Sequence, residues 1–416
     1  MAKMNPHLVG LDVGTTRVRV ILAEVAGPER LEVVGVGTAD SKGLRKGVVV
    51  NLDSAVESIK RATEMAEQMS GIPIEQVYVG LAGAHIKSYN SRGVVAVSRR
   101  NREIGVDDIR RVIDQASAVS VPSDREIVDV VPQEFTVDEQ DGIGDPLGML
   151  GMRLEVAVHI VTSPITAKQN IVTSVNRSGM IVLDTVLEPL AAAEAVLTED
   201  EKEYGTALID IGGETTKLAI YQRGAIRHTA VFPLGGNHFT NDIAVGLRTP
   251  VPEAERIKRQ YGCALSHLLD ENERQSMLEI PSVGGQAARP LSRYTLCEIL
   301  QPRAEEIFSQ IQEEIQRMGF DGQISSGLVL TGGGSLLPGV TEIAEQILDL
   351  PARRGGVPPA IGGLSDDIES PEYATALGLV LVGYKTRYSS VRSYLRGGSV
   401  LKRKASKLKE WIANIF

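Results

Sequence analysis

One short pattern occurs twice in this chain and constrains it more than any other feature. LVGLDVGTTRVRVILAEV (residues 8–25) and ALIDIGGETTKLAIYQRG (residues 207–224) share a grammar: an apolar strand, an aspartate, a turn of Gly and Thr, a basic residue and a second strand. Copies this far apart predict two similar domains rather than a solenoid of short repeats. A third glycine turn lies in GLVLTGGGSLLPGVTEIAEQIL (residues 327–348), with a helix expected from near Pro338. A length of 416 residues agrees with two or more domains, each able to bury an interior.

These turns suit phosphate. Glycine permits positive φ and close approach, so successive backbone N–H groups can converge on phosphate oxygens. Thr15, Thr16, Thr215 and Thr216 add hydroxyl donors, and Asp12 and Asp210 end their strands where a carboxylate can hold Mg²⁺, through water, opposite a triphosphate. One copy alone would read as a structural Asp-Gly hairpin; two copies and a triple-glycine turn favour a nucleotide between the domains. No GxxxxGK[ST] occurs, which excludes a P-loop, and no GxGxxG follows a strand, which argues against a dinucleotide site.

Elsewhere, residues 54–69 carry Ala55, Ile59, Ala62 and Ala66 on one helical face, with Ser54 or Asp53 as the expected cap. Residues 84–165 read as a compact α+β insertion. LEPLAAAEAVL (residues 187–197) sets Ala191, Ala192 and Ala193 in a row, and EYATALGLVL places Ala374 and Gly378 at i, i+4, as two closely crossing helices require. Residues 282–294 read as a loop feeding a helix, and residues 386–400 as a linker. Two cysteines, Cys263 and Cys297, without metal-ligand spacing predict buried thiols in a reducing compartment. The amino end lacks a charged-then-apolar leader and no apolar run nears a membrane span, so a cytoplasmic chain is expected.

Charge is uneven. From Lys385 onward there are nine Lys/Arg and one acid, Glu410, giving +8; the whole chain is −9, so residues 1–384 carry −17. An acidic body argues against nucleic acid, whereas a basic tail suits an anionic surface. The last residues, KLKEWIANIF, place Leu408, Trp411, Ile412, Ile415 and Phe416 on one helical stripe, beside Lys402, Arg403, Lys404, Lys407 and Lys409. A helix over 401–416 is about 24 Å long, and its charges forbid spanning, so it is expected to lie in the membrane interface. The alternative is a terminal helix docked on the body.

The paired Asp and Gly/Thr turns, the third glycine turn and the two small-residue helices together resemble the actin-like ATPase superfamily. The implied fold class is α/β, an actin-like (Hsp70/hexokinase-type) two-domain fold. Asp12, Gly14, Thr15, Thr16 and Arg17 match the superfamily's first phosphate loop, and Asp210, Gly212, Gly213 and Thr215 its second. Gly235, Gly236 and Asn237 match a further phosphate-side turn, and Gly332, Gly333 and Ser335 the adenosine turn. Glu255, Lys258 and Arg259 resemble the helix that contacts ribose and adenine. Glu188 matches the residue that positions the attacking water, or is a cap-like acid before Pro189; with Asp210 it forms the candidate catalytic set. ATP and Mg²⁺ are the implied cofactors, Mg²⁺ at Asp12 and Asp210.

Longer runs narrow the match over nearly the whole chain. PQEFTVDEQDGIGDPLGMLGMRLEVAVHIVT, EPLAAAEAVLTEDEKEYGTALIDIGGETT, GAIRHTAVFPLGGNHFTNDIA, AERIKRQYGCA and LTGGGSLLPG resemble the FtsA family of bacterial cell-division proteins. The resemblance implies subdomain 1A at 1–83, 166–195 and 369–385, an α+β subdomain 1C at 84–165, 2A at 196–227 and 304–368, and 2B at 228–303. After the linker it implies a carboxy-terminal amphipathic membrane-targeting helix at 401–416. It further implies a peripheral protein on the cytoplasmic side of the inner membrane at the division site. Its partners would be the carboxy-terminal peptide of FtsZ at 2B, further copies of the chain in actin-like filaments, later division proteins at 1C, and anionic lipids. Arg289, Arg293 and Arg303 are the candidates to meet the acidic FtsZ peptide, against their reading as solvated arginines.

Relatives usually read DIGGGTTD at the second loop; this chain has Glu214 for the third glycine and Lys217 for the last aspartate. ATP binding with weak or absent hydrolysis is the expectation. The rivals are the pilus-assembly protein PilM, actin-like but without an amphipathic tail, and a sugar-kinase-type enzyme, which would have no use for a basic tail.

Overall fold

A computed structural model of the chain describes residues 7–27, 30–98, 101–283, 287–358, 361–364 and 368–388. The expected membrane helix and all of the expected linker after residue 388 lie outside the described residues. Residues 386–388 are not linker but the end of the helix Ala374–Tyr388.

The repeated grammar becomes repeated topology. In the first half the apolar strand His7–Val13 pairs antiparallel with Arg17–Gly27, which pairs antiparallel with Arg30–Asp40. On its other side it pairs parallel with Gln76–Leu81, and that strand parallel with Ile181–Leu187. In the second half Thr206–Ile211 pairs antiparallel with Thr216–Gln222, and that strand with Ala225–Phe232; on the other flank follow Leu328–Thr331 and Ala352–Arg354, both parallel. The two sheets share one strand order, and the first adds Ile361–Gly363 beside Arg30–Asp40. Central strands in both are buried on two faces, as parallel strands covered by helices must be.

Helices cover the sheets at close range. Leu52–Ser70 lies on Arg30–Asp40, where a Cβ at Gly35 would stand 2.6 Å from the Ala66 carbonyl oxygen. Its cap is Asn51, whose side chain accepts from Ser54 N–H at 3.0 Å, and not the expected Ser54 or Asp53. Asn51 is extended in backbone and so can fold its oxygen over the first turn. Between the halves, Glu188–Val196 crosses Ala374–Tyr388 with no room for a side chain: a Cβ at Gly378 would overlap the Ala191 carbonyl oxygen.

The residues between Gln76–Leu81 and Ile181–Leu187 build a separate four-stranded antiparallel sheet, in the order Lys87–Ala96, Arg153–Pro164, Arg125–Val137, Gln140–Ile143. Helix Val106–Ser117 lies on it, and Ile109, Val112, Phe135, Leu154, Val158 and Ile160 form its own core. In the second half, Gly236–Gly246, Val251–Tyr261 and Arg293–Arg317 share one core with that half's sheet, through Phe239, Ile257, Leu300 and Phe308. The boundaries expected at 227/228 and 303/304 fall inside strand Ala225–Phe232 and helix Arg293–Arg317. Within the expected loop 282–294, Arg289–Ser292 is a strand paired with Met277–Ile280, and Ser292 caps the following helix. No helix among the described residues is long and apolar enough to cross a membrane.

The inserted module also grips the second half. Strand Ala225–Phe232 is an edge, and its free carbonyls take side-chain donors from the module: Ser88 to Thr229 O at 2.9 Å, Asn90 to Arg227 O at 3.1 Å, Gln133 to Ile226 O at 2.7 Å. At the centre, His159 Nδ1–H donates to Asn90 Oδ1 at 2.7 Å, and its Nε2 accepts from the Thr229 hydroxyl at 3.0 Å. Both nitrogens are used in the neutral form. Burial, then nearby His228, holds the His159 imidazole down at about 3. An unfolded histidine takes its proton near pH ~6.5 and the folded one does not, so the unfolded state binds more protons in between and stability falls as pH falls. We expect about 2 kcal/mol of stability between pH 7.5 and 5 to depend on this residue, at roughly 1.4 kcal/mol per pH unit. Urea unfolding across that range should give a flatter profile in His159→Gln; an unchanged slope would reject the assignment.

Candidate nucleotide cleft

The loops that repeat in sequence face each other across a cavity of about 390 Å³ between the two halves, within the usual ligand-cleft range of ~300–1,000 Å³. Asp12, Gly14, Thr15, Thr16 and Arg17 line it from the first half, and Asp210, Gly212, Gly213 and Thr215 from the second. The loops touch: a Cβ at Gly213 would stand 2.7 Å from the Thr16 hydroxyl. The second loop is closed by Gly212 N–H to Thr215 O at 2.9 Å, then stitched to the next turn by Gly236 N–H to Gly212 O at 2.8 Å and Asn237 N–H to Gly213 O at 2.7 Å. Gly235 is required behind it, since a Cβ there would stand 2.6 Å from Gly212 O.

Gly236, Asn237, Glu255, Lys258 and Arg259 form one wall. Lys258 Nζ binds Glu255 at 2.6 Å, Gly236 O at 2.9 Å and the Thr240 hydroxyl at 2.8 Å. Glu255 is held at about 2: burial works against its charge, and Lys258, Thr240 and Arg259 overcome it. The opposite wall is the turn Gly332, Gly333 and Gly334 with Leu336, Leu337 and Pro338, apolar enough for a base. Gly332 has φ 79°, and a Cβ there would strike Asp210. Ser335 and Gly235 do not line the cavity; fully buried Ser335 donates to Gly332 O at 2.7 Å and holds the turn from behind.

At the deep end sit three buried carboxylates and one ammonium. Glu188, first residue of its helix, packs on Gly80 and binds Lys217 at 2.7 Å; Lys217 also binds Asp210 at 2.8 Å. Asp12 lies 4.0 Å from Arg19, whose guanidinium pairs with Glu372 at 2.5 Å and lies 5.5 Å over the Tyr373 ring. Burial first and Glu188 second push Asp12 up to about 7, against Arg19 and Lys217. Burial raises Glu188 as well, with Lys217 opposing. For Lys217 burial disfavours the charge, but Asp210, Glu188 and Asp12 win and keep it protonated. Glu214, which would repel phosphate, points away: its carboxylate accepts from Lys46 N–H at 2.6 Å, bridging the halves.

Mg²⁺ at Asp12 and Asp210 does not fit this arrangement, because the Lys217 ammonium already holds the Asp210 carboxylate. Among the described residues, no group of three or more His, Cys, Asp or Glu is placed to hold a metal ion. Arg19, Glu372 and Lys46 escaped the sequence reading; the alternation of RVRV, which turns Arg19 inward in register with Asp12, was the available signal for the first.

The three arginines expected on 2B are engaged. Arg289 donates to Leu247 O, Arg293 binds Glu273 at 2.6 Å, and Arg303 forms a two-point contact with Asp242 at 2.7 and 3.0 Å. A shallow hollow beside Arg303 is lined by Asn241, Val245, Gly246, Ile299, Pro302 and Glu306. Cys263 and Cys297 are free and buried.

The model of the family described as Cell division protein FtsA matches residues 207–378, and that of the SHS2 domain inserted in FtsA matches residues 83–162. Cell division protein FtsA of Pseudomonas aeruginosa is 46% identical to this chain over 98% of either length. A chain of the PilM-PilN type IV pilus biogenesis complex superposes with a TM-score of 0.66 at 18% identity, covering 90% of this chain and 98% of its own. MreB5 of Spiroplasma citri bound to ADP does so with a TM-score of 0.54 at 16% identity, covering 95% and 99%. These two likenesses concern the fold, which is the actin-like ATPase fold carrying an inserted SHS2 module. Given the near full-length identity to the curated relative, the chain belongs to the FtsA family of cell division proteins.

Proposed function

We propose that this chain binds ATP between its halves and ties FtsZ filaments to the cytoplasmic face of the inner membrane at the division site. The observation that carries the reading is the convergence of three glycine turns on one cavity in a chain of this family. The ADP bound by the structurally similar MreB5 supports the ligand class. The two phosphate loops with Gly236 and Asn237 hold the phosphates, Glu255, Lys258 and Arg259 the ribose side, and the Gly332 turn the base. Mg²⁺ held by Asp12 and Asp210 is no part of this reading. Hydrolysis is weak or absent, because Glu188 is ion-paired to Lys217 and not free to orient water. Titration calorimetry with ATP tests the ligand, and no binding at millimolar ATP defeats it.

Subdomains 1A, 1C, 2A and 2B are assigned as the family resemblance implies, except at 227/228 and 303/304, where the implied limits cut a strand and a helix. The hollow beside Arg303 in 2B takes the FtsZ carboxy-terminal peptide, with exposed Val245 as its apolar contact. The 1C tip carries exposed Leu150 and Met152, which suits self-association into filaments and contact with later division proteins. Residues 401–416 lie on anionic lipid: each basic residue contributes roughly 1 kcal/mol and each fully buried large apolar side chain about 1.5–3 kcal/mol. Binding of one copy is reversible and polymerisation makes it firm. Sedimentation with anionic vesicles, with FtsZ present and ATP varied, tests this. The full chain is expected to bring FtsZ down with the vesicles, and Trp411→Glu to leave both in the supernatant. Vesicle binding unaffected by Trp411→Glu would remove the tether. Failure of the full chain itself to bind the vesicles would favour the PilM-type reading, in which a membrane protein's peptide supplies the anchor.

A further inference from the structure

We propose that Lys217 is a counter-ion built into the phosphate cleft, so that this chain binds its nucleotide without a divalent metal. The inference rests on the nucleotide reading above. Lys217 and Asp210 are direct partners across the hairpin of the second half, so their side chains leave the sheet on the same face. The ammonium lies 2.8 Å from Asp210 and 2.7 Å from Glu188, with the residue 7% exposed. A Cβ at Gly212 would stand 3.8 Å from it, which puts the charge under the second phosphate loop.

An ammonium has three donors, and two carboxylates use two of them, leaving one for a phosphate oxygen. A cation sharing Asp210 with Lys217 would meet a like charge at close range in a buried site, where repulsion is poorly screened. The other cations lining the cleft pair elsewhere than with Asp210 and Glu188: Arg17 with Asp40, Arg19 with Glu372 and, at 4.0 Å, with Asp12, and Lys258 and Arg259 with Glu255. Lys217 comes from one half and Glu188 from the other, so the ammonium joins a carboxylate of each half.

The test is calorimetric titration of the full chain with ATP, in excess Mg²⁺ and in excess EDTA. Wild-type affinity should agree within about threefold between the two buffers, whereas Lys217→Gln should bind at least about tenfold more weakly in EDTA than in Mg²⁺. Lys217→Arg keeps the charge and should behave as wild type. An independent readout is Mn²⁺ alone, followed by electron paramagnetic resonance: the wild type should take up no Mn²⁺ that Asp210→Asn abolishes. Wild-type binding that falls tenfold or more in EDTA, or a Mn²⁺ site lost in Asp210→Asn, overturns the inference and leaves the nucleotide reading standing. Metal independence that persists in Lys217→Gln removes the role of Lys217. No binding in either buffer brings down the nucleotide reading and this inference together.

Discussion

Alanine at Gly378 is expected to cost ~3–5 kcal/mol, a large share of a typical reserve of ~5–15 kcal/mol. The two crossing helices meet backbone to backbone, and the added methyl would occupy the place of the Ala191 carbonyl oxygen. Ala191 is rigidly set in a helix that is buried nearly all round, so it cannot yield alone. The partner helix cannot retreat either, because Gly10 in the first strand leaves no room between it and the Ala376 carbonyl. Interiors this dense transmit a local overlap to everything around it. The control is Gly356→Ala, at an exposed site with nothing within 4 Å of the new Cβ, expected to stay within about 0.5 kcal/mol of wild type. Urea unfolding of the two variants decides the matter. Equal midpoints would mean that the crossing is looser than described.

Lys217→Met is expected to destabilise the chain by a similar ~3–5 kcal/mol, for an electrostatic reason. It strands Glu188 and Asp210, both 4% exposed, with their main counter-charge removed. Adding Glu188→Gln should return part of that loss, since one of the two stranded charges is gone. Because the pair sits in direct contact, a double-mutant cycle should give a coupling of about 1 kcal/mol or more. A Lys217→Met variant within 0.5 kcal/mol of wild type would show that water or protonation relieves the carboxylates without the ammonium. The cycle also measures contact between the halves, because Glu188 and Lys217 stand on opposite sides of the cleft.

What could be read without coordinates was local. The Asp-Gly-Thr turns, their duplication and the Ala-rich helix all announce themselves within a few residues, since turn chemistry and strand alternation act over that range. The family was legible for the same reason, in long uninterrupted runs. What escaped depends on residues far apart in the chain. Glu214 was visible as a departure from the usual third glycine, but its partner is a backbone amide at Lys46, which no local pattern couples to it. Arg303 looked like a free cation for an acidic peptide, but Asp242 holds it from another helix. Lys217 was visible as an odd residue, yet its two carboxylates come from different halves. Cap positions failed by a smaller margin: Ser54 and Asn51 are both good caps, and only the backbone angle at Asn51 separates them.

The grip of the inserted module on strand Ala225–Phe232 has a consequence in time. The module's strands end at Pro164, and the strand they hold begins at Ala225, later in the order of synthesis. At translation speeds of ~5–20 residues per second, the module waits on the order of several seconds for its partner to leave the ribosome. During that interval Ser88, Asn90, Gln133 and His159 lack the partners they find on that strand. The module has a complete core of its own and can wait folded. When strand Ala225–Phe232 arrives, its edge meets a surface already assembled, so this side of the second sheet is not long exposed to neighbouring nascent chains.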